Sequence, residues 1–233
     1  MPRLWVSIVL NRGLANRQNP IIFTSDRHLV MENQNNSDHP TQNSSDLNNK
    51  NLSDIAQYLK HAQSGHKRSI PPLDQWQPKS CGSMDLKVLS NGQWWHEGQL
   101  IKRQALIDLF ASVLCKEEGK FYLKTPVEKI EIEVEDEPLF IQRAERVHID
   151  QKNYIQLMST NQDVIILDQE HPIFMREYQG ELRPYVYMRF GVNALIGRAA
   201  FFHLIEMGEL TENASGETIL TLQSGDLLLQ LRS

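Results

Sequence analysis

The chain has 233 residues, 40% of them hydrophobic, a size and composition typical of one large or two small globular domains. Its formal net charge of −5 is unevenly distributed, since residues 1–70 carry 8 Lys or Arg against 5 Asp or Glu, whereas residues 71–233 carry 16 against 24. This acidic body argues against extended nucleic acid as a partner, because binding a nucleic-acid backbone requires a basic surface.

The two cysteines, Cys81 and Cys115, form no CxxC pair and have no histidine nearby at metal-ligand spacing. We therefore predict no disulfide framework, no metal site and no cofactor, and a reducing cytoplasm is the simplest location. No apolar run approaches the roughly 18 residues that a membrane-spanning helix requires, so no membrane partner is expected.

Residues 1–50 are predicted to be a disordered tail, because residues 32–51 consist largely of Asn, Ser, Asp and Gln. Two interpretations of the tail's start remain open. Either a short apolar run at residues 4–10 is a signal-peptide core, or translation begins at Met31 after an upstream leader. The second is favoured, because the run is short and no cleavage site follows it. Residues 51–69 are predicted to be a short helix and a linker.

Residues 70–126 are predicted to form an N-terminal lobe, in which Trp76 anchors an extended arm. The Asn91-Gly92 pair is a strong signal for a hairpin turn. Apolar residues at helical spacing then predict one helix, which Gly119 ends. In chain order, the predicted elements are strands at residues 84–89 and 93–97, a helix at residues 101–116 and a strand at residues 121–125.

Residues 127–233 are predicted to form a C-terminal lobe. Its first segment, residues 127–136 (VEKIEIEVED), alternates so regularly that Ile130 and Ile132 should face the core while the glutamates face solvent. The order of elements predicts a curved antiparallel sheet or partial barrel capped by a helix. These further elements are strands at residues 139–149, 154–159, 164–167, 173–178 and 182–190, a helix at residues 192–207, and a closing hairpin of residues 217–222 and 226–231.

The two predicted helices share a sequence pattern. Residues 100–110 (LIKRQALIDLF) match residues 195–205 (LIGRAAFFHLI) at five positions, and each copy follows a strand-like aromatic stretch. We interpret the match as a duplicated strand-then-helix unit, although chance can supply such a pair of windows. Arg103 and Arg198 then either bond carboxylates or carbonyls where the two halves meet, or face one another across a cleft and bind an anion.

The strand at residues 182–190 carries the most informative polar face. If the strand is regular, Arg183, Tyr185, Tyr187 and Arg189 lie together, opposite its core-facing apolar residues. Two arginines beside two tyrosines can bind a phosphate and stack on a planar base. Alternatively, the arginines pair with the many carboxylates nearby.

Motifs for catalysis are lacking. The sequence contains no nucleophile elbow, no phosphate-cradling glycine loop and no two-histidine metal motif. No catalytic residue is therefore predicted. A hydrolase that uses Glu128, Asp136 or His171 as acid or base is kept as a further alternative.

An ordered set of short motifs in residues 70–233 resembles the bacterial domain of unknown function 1285 family. Any one motif alone is weak, and their order makes the resemblance specific. Leu100 departs from the pattern, since a proline is expected before the helix, and the tail has no counterpart. The motifs include Pro71-Pro72 with Trp76, Cys81-Gly82, Gly92 with Trp94, Thr125-Pro126-Val127-Glu128-Lys129, Asp136 with Pro138, His171-Pro172, and Arg183-Pro184-Tyr185-Val186 with Arg189 and Arg198.

The resemblance implies a two-lobed α+β protein with repeated structural motifs, whose C-terminal lobe is similar to pleckstrin-homology-like folds without an implied lipid ligand. It also implies a nucleotide-like ligand at the interface between the lobes and a role in signalling or stress response. We therefore expect a non-catalytic binder of a small anionic ligand. The alternative is a protein-interaction module that uses a sheet edge or the acidic strand face. The predicted ligand-binding residues are Arg103, Arg183, Tyr185, Tyr187, Arg189 and Arg198.

Overall fold

The computed structural model describes residues 70–232, and the predictions for residues 1–69 lie outside this part of the chain. The described residues form two lobes, each built around a six-stranded sheet, and a small third sheet. Only two α-helices accompany these sheets within residues 70–232, so the protein is mostly β and the predicted α+β class fits loosely. No helix in residues 70–232 is long and apolar enough to cross a membrane.

The N-terminal lobe contains six strands and one helix. Its elements are β1 (Ser80–Val88), β2 (Trp94–His96), β3 (Gln99–Leu100), α1 (Gln104–Ser112), β4 (Leu114–Glu117), β5 (Lys120–Lys124) and β6 (Glu128–Val134). In space the strands are ordered β3-β2-β1-β6-β5-β4, and β1 and β6 are parallel. The arm before β1 makes a 3₁₀ turn at Leu73–Gln75, and Trp76 packs against the core as predicted.

One face of the N-terminal sheet is apolar and the other is charged. On β6, Ile130 and Ile132 are buried whereas Glu133 is exposed, which confirms the predicted half-buried strand. Helix α1 covers the apolar face, where the rings of Phe110 and Trp94 stack with centroids 6.0 Å apart. The hydrophobic stripe of α1 therefore faces the core of this lobe.

The C-terminal lobe also contains six strands and one helix, followed by a small sheet. Its elements are β7 (Leu139–Ile149), β8 (Lys152–Ser159), β9 (Val164–Ile166), β10 (Ile173–Tyr178), β11 (Glu181–Arg189), β12 (Val192–Ile196) and α2 (Arg198–Met207). The small sheet consists of β13 (Glu209–Glu212), β14 (Thr218–Ser224) and β15 (Leu227–Arg232). The large sheet curls into a half-barrel, and α2 packs on β7.

The two large sheets repeat one strand order. The C-terminal sheet is ordered β9-β8-β7-β12-β11-β10, which is the order of the N-terminal sheet with every strand number raised by six. In both sheets the first and last strands are parallel neighbours, and all other neighbours are antiparallel. The helices break the repeat, because α1 lies between the third and fourth strands whereas α2 follows the sixth. The sequence match between residues 100–110 and 195–205 therefore aligns the end of β3 with the end of β12, which are not equivalent strands in the repeated order.

Both helices are shorter than predicted. Helix α1 ends at Ser112, and residues 114–117 form β4, so that Gly119 lies in the β4–β5 turn instead of ending the helix. Likewise, Val192–Ile196 forms β12 between β11 and β7, although a helix was predicted there. Short apolar runs fit a helix or a buried strand equally well, and pairing with neighbouring strands decides between them.

The boundary between the lobes lies at residues 135–138 and not at residues 126 and 127 as predicted. Thr125 Oγ1 accepts a hydrogen bond from Glu128 N at 3.1 Å in a tight turn, which returns the chain to the sheet it has just left. Strand β6 therefore pairs with β5 and β1. The strand that was expected to open the second lobe completes the first.

The lobes meet at the turn between β11 and β12. Lys116 N of β4 donates a hydrogen bond to Phe190 O at 2.9 Å. Gly191 lies so close to β4 that a Cβ atom there would be 2.5 Å from Lys116 O. A second contact joins Asn161 Nδ2 to Asp108 Oδ1 of α1 at 3.1 Å. Backbone atoms thus form part of the interface between the lobes.

Candidate binding site at the junction of the two lobes

The linker between the lobes carries two buried carboxylates. Asp136 and Glu137 are 8% and 0% exposed. Burying an ionised carboxylate is costly unless hydrogen-bond donors replace water. Here the hydrogen-bond donors come from the C-terminal lobe, and the N-terminal lobe adds a lysine at ion-pair distance. Together they form what we call the linker cluster, which consists of Asp136, Glu137, Lys116, Arg176, Arg183, Tyr185 and Asn193.

Asp136 is held by residues of β10 and β11. Arg176 Nη2 donates to its Oδ1 at 2.6 Å, and the Tyr185 hydroxyl lies 2.8 Å from its Oδ2. Arg183 Nη1 donates to the same Oδ2 at 3.4 Å. Both carboxylate oxygens are therefore satisfied, and this part of the cluster is a structural anchor for the linker.

Glu137 connects the two lobes electrostatically. Its Oε1 accepts hydrogen bonds from Arg176 Nη1 at 2.8 Å and from Asn193 Nδ2 at 3.0 Å. Lys116 Nζ, from the N-terminal lobe, lies 4.0 Å from the same oxygen. Its Oε2 is buried and accepts no hydrogen bond from the described residues. One carboxylate oxygen is thus contacted by cations from both lobes.

Arg176 is shared between the two carboxylates and an aromatic ring. Its guanidinium carbon lies 4.0 Å from the centroid of the Tyr185 ring. Burial lowers the pKa of Arg176, but hydrogen bonding to Glu137 and the charge of that carboxylate raise this pKa by more. The group therefore stays charged, although its side chain is only 36% exposed.

Tyr185 was predicted to stack on a ligand, but its side chain is enclosed. The residue is 0% exposed, and its ring contacts Arg176 and stacks on Phe174 with centroids 5.8 Å apart. Burial, assisted by the hydrogen bond to Asp136, raises the pKa of Tyr185 to about 12. In this arrangement the phenol donates a structural hydrogen bond and presents no free ring face to a ligand.

The other predicted residues of β11 lie in different surroundings. Arg183 donates to Glu181 Oε2 at 2.9 Å and also reaches Asp136, so it belongs to the linker cluster. Tyr187 is half-buried, and its hydroxyl accepts a hydrogen bond from Gly191 N at 3.4 Å. An irregularity in the β11–β12 pairing between Tyr187 and Arg189 interrupts the regular face that the sequence predicted.

Arg189 links the lobes. Its Nη1 donates to Asp163 Oδ2 at 2.9 Å, and its Nη2 donates at 3.1 Å to Ala111 O, a carbonyl in the last turn of α1. Its side chain is only 13% exposed, and its Nε is buried with no acceptor among the described residues. The structure therefore gives Arg189 contacts that stabilise the fold.

Arg103 and Arg198 lie at the starts of the two helices. Arg103 precedes α1 as its N-cap residue, Arg198 is the first residue of α2, and both side chains are exposed. Helix α1 reaches the other lobe through its C-terminal half, at Asp108 and Ala111, so Arg103 lies at the opposite end of that helix. Helix α2 packs mainly on β7 and also contacts β13 and β14.

Three members of the linker cluster were missed as site residues: Lys116, Glu137 and Asn193. Arg176, on the strand beside β11, was not among the predicted ligand-binding residues either. One signal was available, because a hairpin at Gln179-Gly180 sets the register of β10 on β11 and pairs Arg176 with Arg183. Two arginines directly opposite each other repel and require carboxylates. The adjacent acidic residues of the linker could then have been considered as partners.

The alternative acid–base residues lie on different elements, with Glu128 at the start of β6 in the N-terminal lobe. Asp136 is fully bonded, as described above. His171 is half-buried, and its Nδ1 lies 3.1 Å from the main-chain oxygen of Tyr187. In residues 70–232, no group of three His, Cys, Asp or Glu side chains is arranged to hold a metal ion.

A separate open cavity of about 350 Å³ lies on the charged face of the N-terminal sheet, along β5 and β6. Its charged groups pair with one another. Lys120 Nζ lies 2.9 Å from Glu131 Oε1, and Lys87 Nζ lies 3.3 Å from Glu135 Oε1. The lining carries more carboxylates than lysines, so it does not favour an anion.

These features define a two-lobed, mostly β protein in which one strand order occurs twice and a buried acidic linker joins the lobes. The comparison with protein families agrees with this division. The N-terminal domain of the domain of unknown function 1285 (DUF1285) matches residues 71–137, and its C-terminal domain matches residues 138–231. The chain belongs to the DUF1285 family, as its motifs suggested.

Two solved structures of this family resemble the chain. A DUF1285 protein from Silicibacter pomeroyi DSS-3 is 31% identical, with a TM-score of 0.61, and the match covers 73% of this chain and 91% of that one. A DUF1285 protein from Shewanella baltica OS155 is 23% identical, with a TM-score of 0.43 and a coverage of 53% and 91%. No curated protein matches the chain.

Proposed function

We propose that this protein is a non-catalytic binder of a small anionic, nucleotide-like ligand at the junction of its two lobes. The observation that carries this proposal is the convergence of Lys116 and Arg176, one from each lobe, on a single oxygen of Glu137. An anion that binds beside both cations interacts with both lobes at once. Its binding free energy therefore depends on how the lobes pack.

Unused hydrogen-bond donors support an anion at this position. Arg176 uses two of its five N–H groups on Asp136 and Glu137. Lys116 Nζ lies 4.0 Å from Glu137 Oε1 and 4.6 Å from the centroid of the Phe121 ring, and among the described residues it donates no hydrogen bond shorter than that ion pair. Both side chains are partly exposed, 36% and 27%. A phosphate approaching from solvent can bind the remaining donors without displacing the carboxylates.

The sequence-based version of the site is retained as a competing proposal. It assigns the anion to Arg103 and Arg198, with Arg183 or Arg189 as further donors and Tyr187 as the stacking residue. Tyr185 could serve there only after its contacts with Arg176 and Phe174 separate. Because the two versions use different arginines, variants distinguish them.

The first experiment is a thermal-shift screen of the full chain against nucleotides, dinucleotides and signalling nucleotides, with inorganic phosphate as control. A ligand at 100 times its Kd adds about 2.7 kcal/mol of stability, which shifts the Tm by several degrees. We expect a selective shift that Lys116→Ala reduces and that Lys152→Ala leaves unchanged. Lys152 is a matched control, because it is an exposed lysine on β8 paired with Asp226.

Other outcomes redirect the proposal. A shift that survives Lys116→Ala but disappears in the Arg103→Ala, Arg198→Ala double variant assigns the anion to the helix N-termini. No shift across the panel rejects both versions and favours the protein-interaction module.

We further propose a cytoplasmic location and a role in signalling or stress response. The free thiols support the first, since Cys81 is exposed and neither cysteine is bonded within the described residues. The pleckstrin-homology-like description of the C-terminal lobe remains a proposal as well. A six-stranded sheet followed by α2 supports it.

A further inference from the structure

The small sheet has a free edge at β13. Strand β14 lies between β13 and β15, and no strand among residues 70–232 pairs with the outer side of β13. All four of its residues are exposed. An exposed strand edge presents unpaired N–H and C=O groups that can bind another extended chain.

The register of the hairpin shows which groups are available. Asn213 N donates to Glu217 O at 3.0 Å, so these residues form a hydrogen-bonded pair. Such pairs alternate along an antiparallel ladder, which makes Thr211 and Ile219 the next one. The main-chain groups of Leu210 and Glu212 therefore point away from β14, toward solvent.

The surroundings of this edge are acidic. Residues 199–232 contain five Asp or Glu and a single cation among Lys and Arg, Arg232 at the end of β15. Two cations from the large C-terminal sheet contact this part of the chain, but not at β13. Arg146 Nη2 donates to Met207 O at 2.7 Å, and Lys152 pairs with Asp226. Glu209 and Glu212 are exposed and form no ion pair with the described residues.

The edge also carries an apolar contact point. Leu210 is 42% exposed, although it pairs across the ladder with Leu220, which is only 5% exposed. A strand added to β13 would cover Leu210 and extend the apolar face of the small sheet. Acidic side chains beside an exposed leucine match a segment that alternates apolar and basic residues.

We propose that the outer edge of β13 is a docking site for an extended segment of a partner protein that alternates apolar and basic residues. The segment adds a fourth strand by main-chain hydrogen bonds to Leu210 and Glu212. An apolar side chain of the segment covers Leu210 on one face of the sheet, and its lysines or arginines lie near Glu209 on the other face, since side chains alternate between the faces of a strand. Glu212 adds negative charge at the end of the edge.

The test measures binding of a fluorescent heptapeptide of alternating valine and lysine to the full chain by fluorescence anisotropy. A peptide of alternating valine and glutamate is the control for charge. We expect only the lysine peptide to bind, with an affinity that falls as salt is raised.

Leu210→Pro tests the edge directly. Proline at this position removes an outward-facing N–H and leaves the hydrogen bonds to β14 in place, and edge strands tolerate proline. We expect this variant to lose peptide binding. If it does not fold by circular dichroism, the double variant Glu209→Gln, Glu212→Gln carries the test, with an expected loss of about tenfold in affinity.

The matched control is Glu118→Gln with Glu133→Gln, which removes two exposed charges from the N-terminal lobe. If this control weakens binding as much as the β13 double variant, binding is general electrostatic attraction and the proposal fails. Absence of binding to wild type also overturns it. A dimer that Leu210→Pro dissociates in sedimentation velocity would mean that a second copy of the chain covers the edge, which overturns the proposed partner.

Discussion

Arg176 neutralises both buried carboxylates of the linker. We expect Arg176→Gln to lower the free energy of unfolding by about 3–5 kcal/mol, because it leaves Asp136 and Glu137 buried without their shared cation. Denaturant unfolding measures the loss. Arg143→Gln is the control, because the Arg143 side chain is 61% exposed and its Nε lies 3.5 Å from Glu145 Oε2 in a surface ion pair. This variant should lower the free energy of unfolding by less than about 1 kcal/mol. Equal losses in the two variants would mean that the cluster does not stabilise the linker.

Tyr185 should make stability sensitive to alkaline pH. Its pKa is raised from 10.0 to about 12 by burial and the hydrogen bond to Asp136, so the folded chain holds the proton more tightly than the unfolded chain. The stabilisation from this group is complete below pH 10 and is lost as pH rises to 12, by a few kcal/mol in all. Unfolding of Tyr185→Phe should show a shallower decline over this range. Tyr154→Phe, on β8, should decline as steeply as wild type, and a similar flattening there would contradict the assignment.

The residue types on β11 were enough to predict two members of the linker cluster. Arginine and tyrosine at alternating positions of β11 predicted a polar cluster, and Arg183 and Tyr185 do belong to one. Their partner Asp136 is more than 40 residues away in sequence, so only the packing of the linker against β10 and β11 brings the charges together. In the structure both arginines of β11 pair with carboxylates, as the alternative interpretation proposed: Arg183 with Glu181, and Arg189 with Asp163.

The burial of Cys115 tests whether helix α1 ends before β4, as in the structure. Cys115 lies in β4 and is 3% exposed, whereas Cys81 in β1 is exposed. Burial, assisted by the charge of Glu117, raises the pKa of Cys115 to about 11, so its reactive thiolate is scarce at pH 8.

We therefore expect iodoacetamide at pH 8 to alkylate one thiol per native chain and two per unfolded chain, as read by intact mass. Cys81→Ser should leave the native chain unlabelled. Rapid labelling of Cys115 in that variant would contradict the burial of β4.

Elements with a strong local signal were predictable. The predicted turn at Asn91-Gly92 joins paired strands, and the two strands of the predicted closing hairpin also pair with each other. The alternation of β6 gave the correct buried face but not the correct lobe. Its partner β1 lies far away in the chain, and no local pattern specifies which sheet a strand joins. The same limit explains why β4 and β12 were predicted as parts of helices.

Two similar turns in the C-terminal lobe allow the contact between the lobes to be measured. Gln179-Gly180 and Phe190-Gly191 are both two-residue hairpin turns with positive φ at both positions. Alanine at either glycine incurs a left-handed backbone cost of about 1–2 kcal/mol. A Cβ at Gly180 meets nothing within 4 Å, whereas one at Gly191 would lie 2.5 Å from Lys116 O.

We therefore expect Gly191→Ala to destabilise the protein clearly more than Gly180→Ala, because it also forces the lobes apart. Thermal unfolding of Gly191→Ala should separate into two transitions, one for each lobe, while Gly180→Ala keeps the wild-type profile. Equal destabilisation with a single transition in both variants would show that this contact does not couple the lobes.

The parallel pairing of first and last strands sets a constraint on synthesis of the chain. In each lobe these strands are about 50 residues apart, so neither sheet closes until its sixth strand has been made. Such distant pairings form slowly compared with the local hairpins. While β6 is still inside the ribosome, one side of β1 is an open edge that can pair with other nascent chains. In the interval between translation of β1 and of β6, this protein is therefore exposed to aggregation and to chaperones, and the same holds for β7 until β12 has been made.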